Sequence, residues 1–194
     1  MPAATEQLAA FVRATGLLKE PELQRFLGIW APFSCKRKTL LTAAGETERY
    51  LYFVLEGVQR AFYADADRPE ATIVFTYPPS FSGVADSLLT QTPSSFFFET
   101  LSASSFLRTD HRQLQQLMEE LPQVQHFVLQ LTGQVLKGVL ERQAELQCFN
   151  AEDRFRALLR RSPQVLQLIP HKYLASYLGI DPATFSKLMG SVRI

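Results

Sequence analysis

The chain has 194 residues, 46% of them apolar, and a formal net charge of +1. This length fits one large domain or two small ones, and the apolar content is enough for an ordinary core. No apolar run approaches the roughly 18 residues that a membrane-spanning helix needs, and the N-terminus lacks the basic start and long apolar stretch of a signal peptide. We therefore expect a cytoplasmic protein that has no membrane partner.

Basic residues are concentrated near the end of the chain. Residues 1–150 contain 13 Lys and Arg against 16 Asp and Glu, whereas residues 151–194 contain 7 against 3, a net charge of +4. A basic segment favours an approach to phosphates, although an ordinary solvated surface has the same composition. The charge alone therefore leaves both interpretations open.

Residue types suited to metal binding or catalysis are scarce. Cys35 and Cys148 lie far apart without a CxxC motif, so they predict neither a disulfide nor a zinc site, and we expect both to be buried. Isolated cysteines also cannot hold an iron–sulfur cluster. No histidine precedes His111, which leaves no metal triad for an enzyme of the double-stranded β-helix class. We predict no cofactor, no metal and no enzymatic activity.

The first part of the chain predicts two short helices followed by a β domain. The helices lie within residues 4–28, where the first ends at Gly16 and the second opens at Pro21. Seven short runs of β-forming residues come next, at 33–35, 39–42, 50–55, 58–63, 72–77, 95–101 and 106–109. Strands of this number and length indicate a sandwich or a barrel.

The periodicity becomes helical after Asp110. A short helix is predicted for His111–Leu121, and Pro122 opens a longer helix that reaches about Gln147. Its apolar stripe packs either on the β domain of its own chain or on a second copy, and a helix of about 35 Å outreaches a small domain. We favour the second copy. The predicted dimer interface consists of Val124, Phe127, Val128, Leu131, Val135 and Val139.

A small helical domain is predicted for the tail. Asn150 caps a helix that stops at Ser162, and a short helix follows at 165–169. Two further helices are predicted within 171–188.

These last two helices satisfy the constraints of a helix-turn-helix. Ala175 is small where the helices cross, and Gly179 accepts the positive φ of the turn. Asp181 then caps the second helix and Pro182 takes its first position. A purely structural helical hairpin is the alternative, although it does not require a small residue and a glycine at this spacing.

In a helix-turn-helix, the second helix enters the major groove and its early residues lie nearest the base edges. Lys187, Thr184 and Ser186 can donate to bases or phosphates, and Ala183 can contact a thymine methyl group. This helix has no arginine for bidentate base recognition, so DNA shape would contribute to specificity. The predicted DNA-binding residues are His171, Lys172, Pro182, Ala183, Thr184, Ser186, Lys187 and Arg193.

The order of these segments, together with residues 51–58 (LYFVLEGV) and 173–187, resembles the cyclic-AMP receptor protein/FNR superfamily. Residues 160–180 are especially similar to its Bacteroidetes branch. The resemblance implies an α+β fold with an N-terminal double-stranded β-helix, or jelly roll, of the cyclic-nucleotide-binding type, a long dimerisation helix and a C-terminal helix-turn-helix. It also implies a homodimer that binds double-stranded DNA at a pseudo-palindromic operator and senses a small-molecule effector in the roll.

One segment departs from the pattern of the cyclic-nucleotide-binding members. The resemblance implies a glycine, a glutamate for the ribose hydroxyl, and an arginine followed by a small hydroxyl residue for the cyclic phosphate. Gly83 and Ser95 match, but Val84 stands at the glutamate position and Ser94 at the arginine position. A buried phosphate without its arginine is under-neutralised. We therefore predict an effector other than cyclic AMP, in a pocket of Gly83, Val84, Ala85, Ser94, Ser95 and Phe97, although strand aromatics such as Phe97 also serve as core.

These inferences divide the chain into three segments. Residues 1–121 are predicted to form the β-roll sensor with its helical cap, residues 122–149 the dimerisation helix, and residues 150–194 the DNA-binding domain. The predicted function is a homodimeric transcription regulator whose effector is unknown. The alternative is a ligand-binding or scaffold dimer whose DNA-binding domain has decayed.

Overall fold

The computed structural model describes residues 2–192, which form an α+β fold. The helices are α1 (Pro2–Thr15), α2 (Glu20–Gly28), α3 (Ala85–Thr90), α4 (His111–Glu120), α5 (Pro122–Cys148), α6 (Ala151–Arg161), α7 (Val165–Leu168), α8 (His171–Leu178) and α9 (Pro182–Ser191). The strands are β1 (Ala31–Cys35), β2 (Leu40–Thr42), β3 (Tyr50–Glu56), β4 (Gln59–Asp65), β5 (Arg68–Thr76), β6 (Ser80–Ser82), β7 (Phe97–Thr100) and β8 (Ser104–Asp110).

The strands form two four-stranded sheets of the jelly-roll type. One sheet has the order β1-β8-β3-β6 and the other the order β2-β7-β4-β5, so neighbours within a sheet are mostly distant in sequence. The pairings of β8 with β1 and of β3 with β8 and β6 are antiparallel. This arrangement confirms the predicted jelly roll.

Two short elements are absent from the sequence-based prediction. Strand β6 has only three residues, which is too few for an alternating pattern, and it is held by its pairing with β3. Helix α3 has six residues, and Gln91, which follows it, adopts a left-handed conformation with φ of 53°. Both elements owe their conformation to neighbours that are remote in the sequence.

Contacts within the chain define two compact units. The first comprises residues up to 61 together with 75–134, and the second comprises 62–74 together with 135–194. The division therefore falls inside α5. It also assigns most of β4 and β5, on either side of the turn that joins them, to the second unit. The predicted three-segment boundaries stay a prediction.

The first unit has two apolar clusters, one on each face of the sheet that contains β3 and β8. On the outer face, Phe53 and Leu107 pack with α1, α2, α4 and the start of α5. On the inner face, Tyr52, Phe98 and Phe106 form an aromatic cluster between the strands. The alternation of Tyr52, Phe53 and Val54 along β3 supplies both clusters from one strand.

The second unit is built around the tail helices. Its fully or nearly buried apolar side chains are Phe155, Ala157, Leu158, Leu159, Val165, Ile169, Tyr173, Leu174, Ala175, Leu178 and Phe185. Helix α6 begins at Asn150, whose side chain accepts from the Asp153 N–H at 2.9 Å, as the cap prediction requires.

Two expectations from the sequence concern membrane-spanning helices and the burial of the cysteines. No helix within residues 2–192 is both long and apolar enough to cross a bilayer. The prediction that both cysteines are buried is wrong for Cys148, which is exposed, while Cys35 is half-buried. Cys148 is the last residue of α5, and nothing in its sequence neighbourhood distinguishes a covered helix end from an open one.

Candidate DNA-binding helices and effector pocket

Helices α8 and α9 are joined by the turn that the sequence predicts. Gly179 adopts φ of 62° and ψ of 39°, its N–H donates to the Ser176 carbonyl, and the Ile180 N–H donates to the Ala175 carbonyl. This pair of bonds is a Schellman motif, which needs a left-handed residue after the helix. Ala175 is 1% exposed, as expected for a residue at the helix contact.

The second helix of the pair is firmly started and anchored. Asp181 accepts from the N–H groups of Ala183 and Thr184, both at 2.9 Å. The hydrogen bond from the Thr184 hydroxyl, followed by these backbone bonds, lowers the pKa of the Asp181 carboxyl. Phe185 is buried at the base of α9, with its ring centroid 5.5 Å from that of Phe155. One face of α9 is thus fixed to the second unit.

The opposite face of α9 is open. Pro182, Ala183, Ser186 and Lys187 are exposed, and Thr184 is half-buried. Two hydroxyl groups are already engaged within the helix, because Ser186 donates to the Pro182 carbonyl at 3.0 Å and Thr184 donates to the Asp181 carboxylate at 2.6 Å. Lys187 is the one charged side chain among these five residues, and it is exposed to an outside partner.

The remaining predicted DNA-binding residues lie at the start of α8 or outside the described part of the chain. His171 and Lys172 are exposed at the first turn of α8. The His171 ring lies 5.2 Å from the Phe185 ring, and the Lys172 ammonium lies 4.7 Å from the Tyr173 ring centroid. Arg193 lies beyond residue 192, outside the residues that the structure describes.

The β4–β5 turn region contacts the first helix of the pair through Ser176. The Ser176 hydroxyl donates to the Glu70 carbonyl at 3.1 Å and accepts from the Thr72 N–H at 2.9 Å. Strand β5 is the edge strand of its sheet, and the Ser176 side chain pairs with two of its backbone groups. The sequence contained no signal for this contact, which spans more than 100 residues.

The C-terminal half of α5 is tied to α8 and α6 by charged side chains. Arg142 donates to the Tyr177 carbonyl and its guanidinium lies 4.3 Å from the Tyr177 ring centroid. Glu145 accepts from Arg142 at 3.4 Å and from Arg161 at 3.0 Å. Burial raises the pKa of Glu145, but the hydrogen bond from Arg161 and the charges of Arg161 and Arg142 outweigh it and hold the pKa below its ordinary value.

The predicted dimer residues on α5 fall into two groups. Val124 and Phe127 are 0% exposed and belong to the outer-face core of the first unit. They therefore cannot form the surface of a dimer, and we omit them from it. Val128 and Leu131 are half-buried beside the same core, whereas Val135 and Val139 are 55% and 53% exposed.

The exposed apolar face of α5 is wider than the predicted stripe and rotated relative to it. Leu129, Leu136 and Leu140, at 65%, 56% and 60% exposed, are the most open apolar side chains of the helix. Periodicity alone identified an apolar side of α5, but it did not show which part of that side the roll would cover.

The predicted effector-pocket residues differ in exposure, and none of them lines the cleft described below. Val84 and Ser94 are buried, Gly83 and Ala85 are half-buried, and Ser95 is exposed. Phe98 faces the aromatic cluster inside the roll, so its neighbour Phe97 lies on the other face of β7 and does not line that interior. We therefore remove Phe97 from the pocket.

Ser94 is occupied within its own turn. Its hydroxyl donates to the Phe96 carbonyl and accepts from the Phe96 N–H, both at 2.8 Å. The Ser94 backbone also pairs with Gly45 and Glu46, each at 2.8 Å. Ser94 thus ties the segment before β7 to the β2–β3 loop.

That loop forms the wall of a cleft of about 430 Å³ that sequence reasoning missed. Its lining residues are Leu41, Thr42, Glu46, Thr47, Glu48, Arg49 and Tyr50. The segment from Gly45 to Arg49 has the composition of an exposed turn, and only Glu48 within it is buried, at 1% exposed. Within residues 2–192 we found no group of three or more His, Cys, Asp or Glu arranged to hold a metal ion.

Comparison with known proteins agrees with this architecture. Residues 32–121 match the family model of the cyclic nucleotide-binding domain. No curated protein matches the sequence significantly.

Solved structures extend the likeness over most of the chain. FixK2 from Bradyrhizobium japonicum is similar with a TM-score of 0.75 and 16% identity, over 84% of this chain and 83% of its own. The catabolite activator protein of Thermus thermophilus has a TM-score of 0.57 and 22% identity, over 91% and 87% of the two chains. A protein from Eubacterium rectale described as a transcriptional regulator of the Crp/Fnr family has a TM-score of 0.67 and 12% identity, over 89% and 82%.

These findings define the fold of the protein. The match to the cyclic nucleotide-binding domain model covers 90 of the 194 residues. The chain as a whole has the fold of Crp/Fnr family regulators, with the long helix and the C-terminal helices in the expected order.

Proposed function

We propose that the protein is a homodimeric transcription regulator that binds double-stranded DNA through α9 and senses an effector other than cyclic AMP in the roll. The observation that carries the proposal is the α8–α9 pair. Gly179 and Asp181 shape its turn and cap, Phe185 anchors one face of α9, and the face with Lys187 is exposed. A firmly anchored helix whose exposed face carries uncharged side chains and a lysine is suited to the major groove.

The exposed face of α5 supports a homodimer. Leu129, Leu136 and Leu140 are spaced by 7 and 4 residues, which places them on one side of the helix. Lys137 and Glu141 flank this side and pair with each other at 3.8 Å, so the face itself is apolar and without net charge. A surface of this kind is complementary to a copy of itself across a twofold axis, which is the commonest form of oligomer symmetry.

The proposal that the effector is not cyclic AMP rests on Val84 and Ser94, which stand where the resemblance implies a glutamate and an arginine. Val84 offers no carboxylate to a ribose hydroxyl, and the Ser94 hydroxyl is committed to the Phe96 backbone. A cyclic phosphate in this pocket would lack a charge-assisted partner from either position. We place the effector in the cleft lined by Leu41, Thr42 and residues 46–50, next to Val84, whose N–H donates to the lining residue Glu48.

Selection of binding sites from random duplex by the purified full-length protein tests DNA binding directly. We expect enriched sequences with two inverted half-sites about 10 base pairs apart, as a twofold dimer of helix-turn-helix domains requires. Binding should weaken steeply as salt rises. Absence of any duplex shift at low salt, with a dimer still present, would instead favour a scaffold whose DNA-binding domain has decayed.

A further inference from the structure

Glu48 is the most deeply buried carboxylate of the roll, and donors surround it. One carboxylate oxygen accepts from the N–H groups of Arg49 and Tyr50, at 3.0 and 3.1 Å. The other accepts from the Thr42 hydroxyl at 2.7 Å and from the Val84 N–H at 3.3 Å. Burial raises the pKa of Glu48, and these four donors act against that rise. The side chain is 1% exposed although it stands in a polar loop.

The backbone of Glu48 is anchored as firmly as its side chain. Its N–H donates to the Ser87 hydroxyl at 3.0 Å, and its carbonyl accepts from the Gln91 side chain at 3.3 Å. Ser87 in turn donates to the Thr92 carbonyl at 2.6 Å. The carboxylate is therefore held in one place by contacts that do not involve its own oxygens.

The four donors come from three separate segments and converge on one point. They belong to the end of β2, the start of β3 and the turn before α3. Gly83 permits this approach, because its φ is 128° and an added Cβ would lie 3.2 Å from the Tyr50 carbonyl and 3.7 Å from a Glu48 carboxylate oxygen. Backbone N–H groups cannot accept hydrogen bonds, so three of the four donors require an acceptor at this point.

We propose that Glu48 is a tethered ligand. Its carboxylate fills a cradle of donors, formed by Thr42, Arg49, Tyr50 and Val84, that would otherwise hold the carboxylate or phosphate group of an outside molecule. The cradle is therefore closed to the carboxylate or phosphate group of an outside molecule in the native protein. This inference deepens the proposed sensor role of the roll and depends on it only for its biological consequence.

The cleft gives the inference a direct test. Glu48 lines the cleft, so removing its side chain opens the empty cradle to solvent. Small carboxylates such as formate fit the space that the Glu48 carboxylate leaves. The matched control is Glu46→Ala, because Glu46 lines the same cleft but is exposed.

Thermal unfolding of the full-length protein without DNA is measured in equal concentrations of sodium formate and sodium chloride. In chloride we expect Glu48→Ala to unfold roughly 4 to 10 °C below the wild type, because buried donors lose their acceptor. Formate at about 200 mM should raise the midpoint of this variant by about 3 °C relative to chloride. The wild type and Glu46→Ala should unfold at the same temperature in both salts.

A second variant keeps the shape of the side chain. Glu48→Gln places an amide donor against one side of the cradle, so we expect its midpoint to fall below that of the wild type without any response to formate. The inference is overturned if formate shifts Glu48→Ala no more than Glu46→Ala, or if Glu48→Gln is as stable as the wild type. Should Glu48→Ala not fold in chloride, its refolding yield replaces the midpoint, and equal yields in the two salts overturn the inference.

Cyclic AMP completes the test on the wild-type protein. We expect no shift of the unfolding midpoint with cyclic AMP at about 1 mM, and a rise would overturn the inference because the native cradle would then admit a phosphate. None of these measurements involves DNA. Failure of the formate measurements is therefore distinct from failure of the duplex selection, which tests the DNA-binding part of the proposed function, whereas a rise with cyclic AMP would also contradict the proposed effector.

Discussion

The guanidinium of Arg142, on the long helix α5, lies 4.3 Å above the ring of Tyr177, at the end of α8, and donates to the Tyr177 carbonyl. A planar cation can stack on an aromatic ring and donate from its edge at the same time, which an ammonium cannot do. This contact fixes the first helix of the helix-turn-helix to the second half of α5. Since both partners are half-buried or better, solvent weakens the interaction only in part.

Arg142→Ala should lower the free energy of unfolding by about 2 to 3 kcal/mol, through loss of the stacked cation and of a charge-assisted hydrogen bond. Arg142→Lys should recover only part of that loss. Chemical denaturation measures both. The control is Arg156→Ala, which breaks an exposed i,i+4 pair with Glu152 and should cost no more than about 0.5 kcal/mol. Equal effects of the two alanine variants would contradict the structural role of Arg142.

The lowered pKa of Glu145 predicts that acid reduces the free energy of unfolding. Its folded-state pKa lies below the ordinary value of 4.5, because Arg161 and Arg142 outweigh the effect of burial. A lowered pKa contributes stability that is present above the unfolded value and is lost as pH falls through the folded value. The difference in unfolding free energy between the wild type and Glu145→Gln should therefore be largest near neutral pH and shrink below about pH 4.5.

Comparing the two proteins at each pH isolates Glu145 from other carboxyls. Glu20, Asp65, Glu120 and Asp181 also have lowered pKa values, and they contribute acid sensitivity equally to both proteins. A difference that stays constant from about pH 7 to about pH 3 would show that the Glu145 charge is not stabilised by the fold.

Lys187→Ala should weaken duplex binding about five- to tenfold and reduce the slope of log affinity against log salt by about 1, the value expected for one phosphate contact. If Lys187 instead reads a guanine, the loss should be confined to sequences with that base. Electrophoretic mobility shift at several salt concentrations measures both quantities. Lys19→Ala removes the same charge from an exposed position in the first unit and should leave binding unchanged.

Leu136→Glu should convert the proposed dimer to a monomer, and Leu136→Glu combined with Leu140→Glu should do so completely. A pair of carboxylates facing their own copies across a twofold axis would be both repulsive and desolvated. Analytical ultracentrifugation gives the mass. The control is Leu40→Glu, because Leu40 is 50% exposed on β2, away from α5 in the chain. A wild-type monomer at micromolar concentration would contradict the proposed interface outright.

Gly57→Ala should destabilise the roll strongly, by about 3 kcal/mol or more. Gly57 has φ of 90°, and an added Cβ would lie 2.3 Å from the Ser104 hydroxyl and 2.5 Å from the Ala103 carbonyl. Gly45→Ala separates backbone strain from collision, because Gly45 has φ of 87° but no atom within 4 Å of its added Cβ. We expect about 1 kcal/mol for this control. Equal losses in urea denaturation would exclude the predicted collision.

The helix-turn-helix could be predicted from sequence because its determinants are local. Ala175, Gly179 and Asp181 lie within seven residues, and each acts on its own helix end or on the immediate neighbour. The α5 interface was harder to predict because its determinants are not local. Helical periodicity shows that Val124 and Leu136 lie on an apolar side, but burial of Val124 depends on α1 and α2, which are more than 90 residues away.

What the sequence by itself determined is the order of jelly roll, long helix and tail helices, since strand alternation, helix caps and turn residues act within a few residues of the chain. What only the tertiary structure decided is which polar groups become ligands for one another. Glu48 stands in a segment with the composition of a surface turn. It becomes a buried acceptor because folding brings Thr42, at the end of β2, and Val84, which lies 36 residues after Glu48, to the same carboxylate. A buried donor must find an acceptor wherever the chain supplies one, and that choice is made in space rather than along the sequence.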